Sequence, residues 1–393
     1  MSLMTHGEGT AKAPVTRPAG SAVQLAHHWW VWRRGGGRVF EDMAALFPEA
    51  EVSMIVRARE TLTPAMARRL IRCSVLQWVA PRWVDHRWLL PLFPWAVRRM
   101  RIPAEARLLL TSDSAVIKGL PKPEGCVQVC YCHSPPRYLW DMAEDYARQT
   151  SGLGRVGRWA FRRAVAGVRR YDRAAADNVD HFIANSRFVA GRIARCYGRE
   201  ARVIYPAVNV AKFLPTGAPP EDFYLIVSEL VAYKRVDLAV AACSRLGRRL
   251  VVVGDGAEMK KLRRMAGPAV EFMGRVGDAE VAGLMARCRA FLHPQVEDFG
   301  LTAVEVQAAG RPVIALGEGG ALETVIDGET GLFFERQEAE ALVAAMEEFE
   351  RMPERFSPEN CRSNAERFSL ARFQGELGAA LREWAPGVMS APE

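Results

Sequence analysis

The chain has 393 residues and a mass of 43.6 kDa, too long for a single ordinary core at roughly 150 residues per domain. Its 49% hydrophobic and 25% charged residues exclude wholesale disorder, a collagen-like repeat and a membrane-embedded chain. The net charge of +8 conceals an asymmetry: residues 1–210 hold 32 Lys/Arg against 17 Asp/Glu (net +15), and residues 211–393 hold 21 against 28 (net −7).

Residues 1–20 are rich in Ala, Pro, Gly and Thr and lack the basic-then-apolar layout of a secretory signal. They are expected to form a flexible leader on a cytoplasmic protein. Short apolar runs then alternate with longer helical patterns, the signature of βα units on a parallel sheet. The first half predicts strands at Val23–Ala26, Glu51–Val56, Arg107–Thr111, Val127–Cys132, His181–Asn185 and Val203–Tyr205. The stretch Phe213–Asp222, rich in Pro and Gly, reads as a linker. Strands are predicted beyond it at Tyr224–Val227, Leu250–Val253, Val270–Met273, Ala290–His293, Val313–Leu316 and Leu332–Phe334. An amphipathic helix is expected over Leu370–Trp384. The fold class is α/β: two doubly wound Rossmann-like domains facing across a cleft, at 21–212 and 223–369, with the segment 370–393 able to pack back on the first. Eight scattered cysteines without a Cys-x-x-Cys pair suit buried thiols.

Between Met66 and Arg101, Trp78, Trp83, Trp88 and Trp95 interleave with eight arginines. Indole rings and guanidinium groups both find partners in the headgroup layer of a membrane. The stretch therefore reads equally as an anionic-membrane surface and as a helical insertion whose tryptophans fill the first core. It does not cross a bilayer, because its most apolar part, Trp88–Val97, is interrupted by Pro91 and Pro94 and falls short of the roughly 18–20 residues required. Gly152-Leu153-Gly154-Arg155-Val156-Gly157 spells a dinucleotide fingerprint, but no predicted strand precedes it and a basic helix follows. The arginines from Arg155 to Arg173 come without a nucleic-acid motif, so nucleic acid is not an expected partner.

The most informative stretch is Pro294–Asp327. A strand ends at His293, a loop carries Glu297, Phe299 and Gly300, and a helix is expected from Leu301 to about Ala309. That layout aims free N–H groups at the cleft, where a phosphate is favoured. Glu297 and Glu305 are eight residues apart, so one carboxylate can reach a sugar while the other accepts from a ribose. From spacing alone, a pair of solvated surface carboxylates is the plainer reading. Gly317-Glu318-Gly319-Gly320 opens another helix toward the same place and permits close backbone approach. His133 follows a strand and precedes Ser134-Pro135-Pro136, a turn that would hold its ring at a domain edge. Gly35, Gly36 and Gly37 suit approach to a diphosphate or acceptor, or a plain flexible turn. Arg137 and Asp141 suit acceptor contact or a mutual salt bridge, and His27 and His28 are weaker candidates.

These residues carry a resemblance. The Pro294–Asp327 stretch resembles the Glu-x7-Glu signature of the retaining glycosyltransferases of family 4, which have the GT-B fold. VSELVAYKRVDLAV at 227–240, VVVGDGAEMKKL at 251–262 and GGALETVIDGETGLFF at 319–334 are similar to that family's phosphate-binding lysine segment, second strand and turn, and closing motif. HHWWVWRRGGGRVFEDMAALFP at 27–48 resembles its glycine-rich loop, and CYCHSPPRYLWD at 130–141 its active-site histidine segment. The resemblance covers most of residues 22–370.

It implies that Glu297 contacts the donor sugar, Glu305 the ribose, and Lys234, aided by Arg235, the diphosphate, with Phe299, Gly300 and Leu301 beside the donor. His133 would position the donor sugar and the acceptor hydroxyl. One departure is Glu229, where the family often has an arginine. Breaking a sugar–phosphate bond leaves negative charge on the diphosphate, and each well-placed donor there is worth roughly 3–4 kcal/mol. The chain has no Asp-x-Asp pair, so neither metal nor other cofactor is expected beyond the nucleotide-sugar co-substrate. The implied reaction moves a sugar with retention to a lipid-linked or polysaccharide acceptor. Similarity to bacterial mannosyltransferases of polysaccharide assembly makes GDP-mannose the expected donor and UDP-glucose its competitor. A non-catalytic nucleotide-sugar-binding protein would need neither His133 nor an acceptor groove, and a nucleic-acid-binding protein would leave Glu297 and Glu305 without a role. The +15 half is where an anionic lipid-linked acceptor would arrive, so peripheral attachment to the inner face of an anionic membrane is expected.

Overall fold

The computed structural model describes residues 22–31, 35–141 and 154–388; the expected leader, and Gly152 and Leu153 of the glycine pattern, lie outside them. Thirteen strands form two sheets, and every pairing is parallel. The first, in the order β3-β2-β1-β4-β5-β6-β7, comprises β1 (Val23–Trp30), β2 (Glu51–Arg57), β3 (Ile71–Cys73), β4 (Leu108–Asp113), β5 (Val127–Cys132), β6 (His181–Ala184) and β7 (Ala201–Val203). The second, in the order β10-β9-β8-β11-β12-β13, comprises β8 (Tyr224–Val227), β9 (Leu250–Val253), β10 (Val270–Gly274), β11 (Ala290–His293), β12 (Val313–Leu316) and β13 (Gly331–Phe334). Parallel strands covered on both faces by helices read as continuous apolar runs, which is why the central strands are plain in the sequence.

The differences lie at edges and strand ends. β3 is a three-residue edge strand, too short to show a period. β1 continues past Ala26 through His27 and His28, because both rings bond to Ser112 of β4 and are buried there. β4 likewise runs on to Asp113, whose carboxylate accepts from the amides of Ala115 and Lys118. β7 lies at Ala201–Val203 rather than Val203–Tyr205, since its register is set by β6 alone.

In each sheet the chain winds outward from its first strand and then jumps to the other side, so β1 neighbours β4 and β8 neighbours β11. Doubly wound sheets bind ligands outside the carboxyl ends of their strands at such switch points. Here the two switch points supply His27, His28 and His133 from the first sheet and Glu229, His293 and Glu297 from the second, all lining one cleft. The last helix, Leu370–Trp384, begins with Ser369 accepting from the Arg372 amide. It buries Phe373, Leu377 and Leu381, spaced four apart on one helical face, against Leu25, Met43 and Tyr131 of the first domain.

The tryptophans at 78–95 do not fill the first core. Trp78, Trp83 and Trp88 are 86%, 72% and 72% exposed, and Trp95 is 45% exposed. Leu76, Phe93 and Val97 turn inward instead. Arg82 lies over the Trp83 ring at 5.1 Å and Arg99 over Trp95 at 4.5 Å. Trp159 and Arg163, on the helix Gly154–Asp177, present a similar pair at 6.0 Å.

The two domains are tied through Asp298, in the loop after β11. Its carboxylate accepts from Ser134 Oγ at 3.2 Å, Arg137 Nη2 at 2.9 Å and Nε at 3.2 Å, and Arg192 Nη1 at 3.4 Å. Its backbone carbonyl accepts from Ser186 Oγ at 2.5 Å. Removing this carboxylate takes from Arg137 the anion it pairs with and leaves buried Arg192 with Asp141 alone, a change that costs about 3 kcal/mol. Asp298→Ala is therefore expected to lower the free energy of urea unfolding by that amount, with a fall in its midpoint, and to speed amide exchange at Ser134 and Arg137. Asp298→Asn should recover part of the loss, and an unchanged midpoint and exchange rate would refute the assignment.

Candidate functional site

A cleft of about 700 Å³ runs between the domains, lined from both sides. A larger depression of about 830 Å³ lies on the first domain around Gly119–Val127, Tyr171 and Asp180; it holds none of the residues picked out above.

On the second-domain wall, Lys234 ends a short helical turn after β8 and pairs with Glu297. Gln295 donates to the same carboxylate at 3.3 Å and to His293 Nδ1 at 3.2 Å. Glu297 is not the solvated carboxylate that spacing suggests: about a fifth of its side chain, and of the Lys234 side chain, is exposed. Burial would raise the Glu297 carboxyl, but Lys234, and then His293, overcome it and hold it at about 2. Burial likewise works against charge on Lys234, and Glu297 more than restores it. Glu229 also faces the cleft. His293 is driven down to about 4 by burial, and its Nε2 has no hydrogen-bond partner among the described residues. Gly300 caps the helix Leu301–Ala308, and Leu301 faces the cleft.

On the first-domain wall, His133 directly follows β5. Its Nε2 lies 2.7 Å from Ser112 Oγ, which His27 Nδ1 also reaches at 3.0 Å. His28 closes the group, bonding the Ser112 carbonyl at 3.2 Å and Ser114 Oγ at 3.2 Å. Burial pushes the His133 imidazole down to about 3, with His28 acting in the same direction against Asp113. Burial, and then the other two rings, hold His27 well below its ordinary value. The three imidazoles are thus neutral at pH 7, each able to offer one donor and one acceptor. Gly35, Gly36 and Gly37 open the helix Gly35–Ala44 beside them. A Cβ at Gly35 would stand 2.8 Å from the end of the Leu301 side chain, which would have to shift, whereas one at Gly36 would stand in ordinary contact, 3.6 Å from His133 Nε2.

Several expected residues are placed elsewhere. Arg235 turns away from the cleft, its guanidinium held by Asp237 at 3.2 Å and Gln337 at 3.0 Å. Arg137 and Asp141 do not pair with each other: Arg137 binds Asp298, and Asp141 binds Arg192 at 2.5 Å. The Phe299 ring packs into the core against Phe368 and Tyr205, leaving its backbone at the cleft. The glycines of Gly317–Gly320 admit the Glu297–Phe299 loop rather than a ligand. The Gly320 amide donates to the Glu297 carbonyl at 2.9 Å, and a Cβ at Gly319 would meet that carbonyl at 2.6 Å. Glu305 is buried beneath Arg38, whose Nη1 lies 2.6 Å from its carboxylate. Ser112, Asp298 and Arg38 are the site residues that sequence reasoning missed. Asp298 and Arg38 lie within segments it had marked, and Ser112 is the residue directly after the strand predicted at Arg107–Thr111.

Residues 33–212 match the family model described as Glycosyltransferase Family 4, and residues 215–368 match that of Glycosyl transferases group 1. An uncharacterized glycosyltransferase of Methanocaldococcus jannaschii is 32% identical over 173 residues, 43% of this chain and 49% of that protein. A GDP-mannose-dependent alpha-(1-6)-phosphatidylinositol monomannoside mannosyltransferase of Mycobacterium tuberculosis is 30% identical over 207 residues, 45% of this chain and 54% of that protein. The matched region thus spans about half the length of these curated relatives. Among solved structures, Anabaena HepE in complex with UDP and glucose superposes with a TM-score of 0.68 at 18% identity, over 92% of this chain and 99% of that one. Sucrose-phosphate synthase from Thermosynechococcus elongatus also gives 0.68, at 20% identity over 92% and 98%. With both halves matched in order and both sheets superposing on such enzymes, the chain belongs to the family 4 glycosyltransferases and has the GT-B fold.

Proposed function

We propose that the protein is a retaining hexosyltransferase that takes its sugar from a nucleotide diphosphate, with GDP-mannose as donor, and delivers it to a lipid-linked or polysaccharide acceptor. The observation that carries this reading is the placement of the Lys234–Glu297 pair and neutral His133 on opposite walls of one cleft. Lys234 is positioned to receive the developing charge of the leaving diphosphate, and the Leu301–Ala308 helix start adds its amides. Glu297, ionised and fixed, holds the sugar. The bond between the anomeric carbon and the phosphate oxygen breaks, and its electron pair stays with the nucleoside diphosphate. The acceptor oxygen bonds to the same face of that carbon, and its proton passes to the leaving phosphate oxygen. His133, held by Ser112, orients the hydroxyl groups. The mannose reading is supported by the mycobacterial relative named for GDP-mannose. UDP-glucose is the competing donor, supported by an Anabaena HepE complex with UDP-glucose.

The exposed Trp/Arg face supports a membrane surface as the place of work. Its rings stand out from the first domain beside arginines, and no helix among the described residues is long and apolar enough to cross a membrane. The acceptor on this reading is lipid-linked and reaches the cleft from that side.

Transfer assayed with GDP-mannose and UDP-glucose on extracted lipid acceptors should favour GDP-mannose. Glu297→Gln and His133→Ala should each lower kcat at least about 100-fold; absence of transfer or hydrolysis with any nucleotide sugar would remove the enzyme reading. Because His133 is neutral until about pH 3, lowering the pH removes its function only far below the ordinary histidine range. kcat/KM should therefore stay flat from pH 8 to about pH 5, and an acid limb near pH 6.5 would contradict this placement. In sedimentation with phosphatidylglycerol vesicles, Trp78→Ser/Trp83→Ser/Trp88→Ser should reduce binding at least about tenfold. Equal binding by the variant would count against the membrane face.

A further inference from the structure

Both described Lys or Arg residues that line the cleft are paired with a carboxylate, Lys234 with Glu297 and Arg38 with Glu305, and Arg137 behind its wall pairs with Asp298. Glu229 adds a further carboxylate to the wall. A diphosphate entering this cleft meets cations already neutralised, and its binding requires that one of these pairs open. The three pairs are not equally held. Arg137 makes two contacts to Asp298 and one to the Val296 carbonyl at 3.3 Å, within the cluster that joins the domains. Lys234 is the more enclosed of the remaining two, 17% exposed, against a carboxylate that also accepts from Gln295. Among the described residues Arg38 pairs with Glu305 through one nitrogen, and its side chain is 43% exposed. Glu305 beneath it is 7% exposed and fixed on a helix, so the arginine is the member able to move.

We propose that Arg38 is a donor-binding residue that exchanges partners when the nucleotide enters. The ribose hydroxyls take over Glu305, and the released guanidinium closes on the diphosphate beside Gly35 and Gly36. This rests on the nucleotide-diphosphate reading of the cleft. The exchange is chemically matched on both sides. Two hydroxyl donors replace the N–H donor on a buried carboxylate, so Glu305 stays hydrogen-bonded. A planar guanidinium suits paired phosphate oxygens better than a single carboxylate oxygen. Arg38 sits one residue after the glycine loop, so a rotation of its side chain carries charge from the ribose position toward the phosphates with no domain movement. The contact covers Glu305, so on this proposal Arg38 and the ribose compete for the same carboxylate.

Calorimetric titration of the full chain with GDP and UDP, and with guanosine and uridine as phosphate-free controls, separates the possibilities. Arg38→Ala should weaken the preferred diphosphate by about 10- to 100-fold and leave the matching nucleoside bound as tightly or more tightly. Arg38→Lys, which keeps the charge and guards against a folding defect, should fall between. Diphosphate binding by Arg38→Ala that equals or exceeds the unmodified protein's would show Arg38 to be only an obstacle and overturn the proposal. Failure of the unmodified protein to bind either diphosphate would instead remove the nucleotide reading on which the proposal stands.

Discussion

Asp298 is the contact on which the rest of the arrangement depends. Two sheets that share no strand have to present their carboxyl ends to each other at a fixed distance, and packing of separate cores does not dictate that distance. A single carboxylate, taking hydrogen bonds from Ser134, Arg137 and Arg192, does so. It is adjacent in the chain to Glu297, so the group that sets the domain spacing also fixes the loop that carries the carboxylate paired with Lys234. The first domain's contributions come from the turn after His133 and from the helix Arg187–Tyr197, which ties the histidine's position to the same anchor. Glu323 adds a second tie, accepting from the amides of Arg187 and Phe188 and from the Tyr205 hydroxyl.

Around that anchor the cleft keeps its charges balanced in the dry interior. An isolated buried ion is costly, and pairing with further hydrogen bonds offsets that cost. Glu297 is therefore ionised beside Lys234, while the histidines opposite are neutral because burial outweighs the opposing pull of Asp113. The same fold thus provides a charged wall suited to a leaving diphosphate and a neutral hydrogen-bonding wall suited to hydroxyl groups. Deeper in the first domain, Lys118 with Asp113 and Asp172 forms another balanced cluster. Trp140 and Tyr197 each donate to Asp172 at 2.9 Å, which holds the segment after His133 against the helices behind it.

The charge asymmetry between the halves acquires a location. The acidic second domain places one lysine and a helix start where an anion would lie, so its overall sign says little about its ligand. The basic first domain carries arginines outward beside exposed indoles, on a stretch whose His86, Leu90 and Phe93 line the cleft. Net charge averaged over the chain hides both facts.

The sequence by itself determined the sheets, because strands buried on both faces must be continuous apolar runs and those runs are short, separated and visible. It also marked Glu297, Lys234 and His133, through spacing and resemblance, and the fold brings these three to one cleft. Edge strand β3 escaped because three residues carry no period, and the end of β1 escaped because His27 and His28 look like a turn until Ser112 of another strand receives them. Only the tertiary structure decided which cations face the cleft. Arg235, next to Lys234 in the chain, is turned away by Asp237 and Gln337, while Arg38, 267 positions from Glu305, covers it. It also decided that the Trp78–Trp95 rings face solvent. Side-chain direction and cross-domain pairing depend on what the rest of the chain brings within about 3 Å, and no local pattern encodes that.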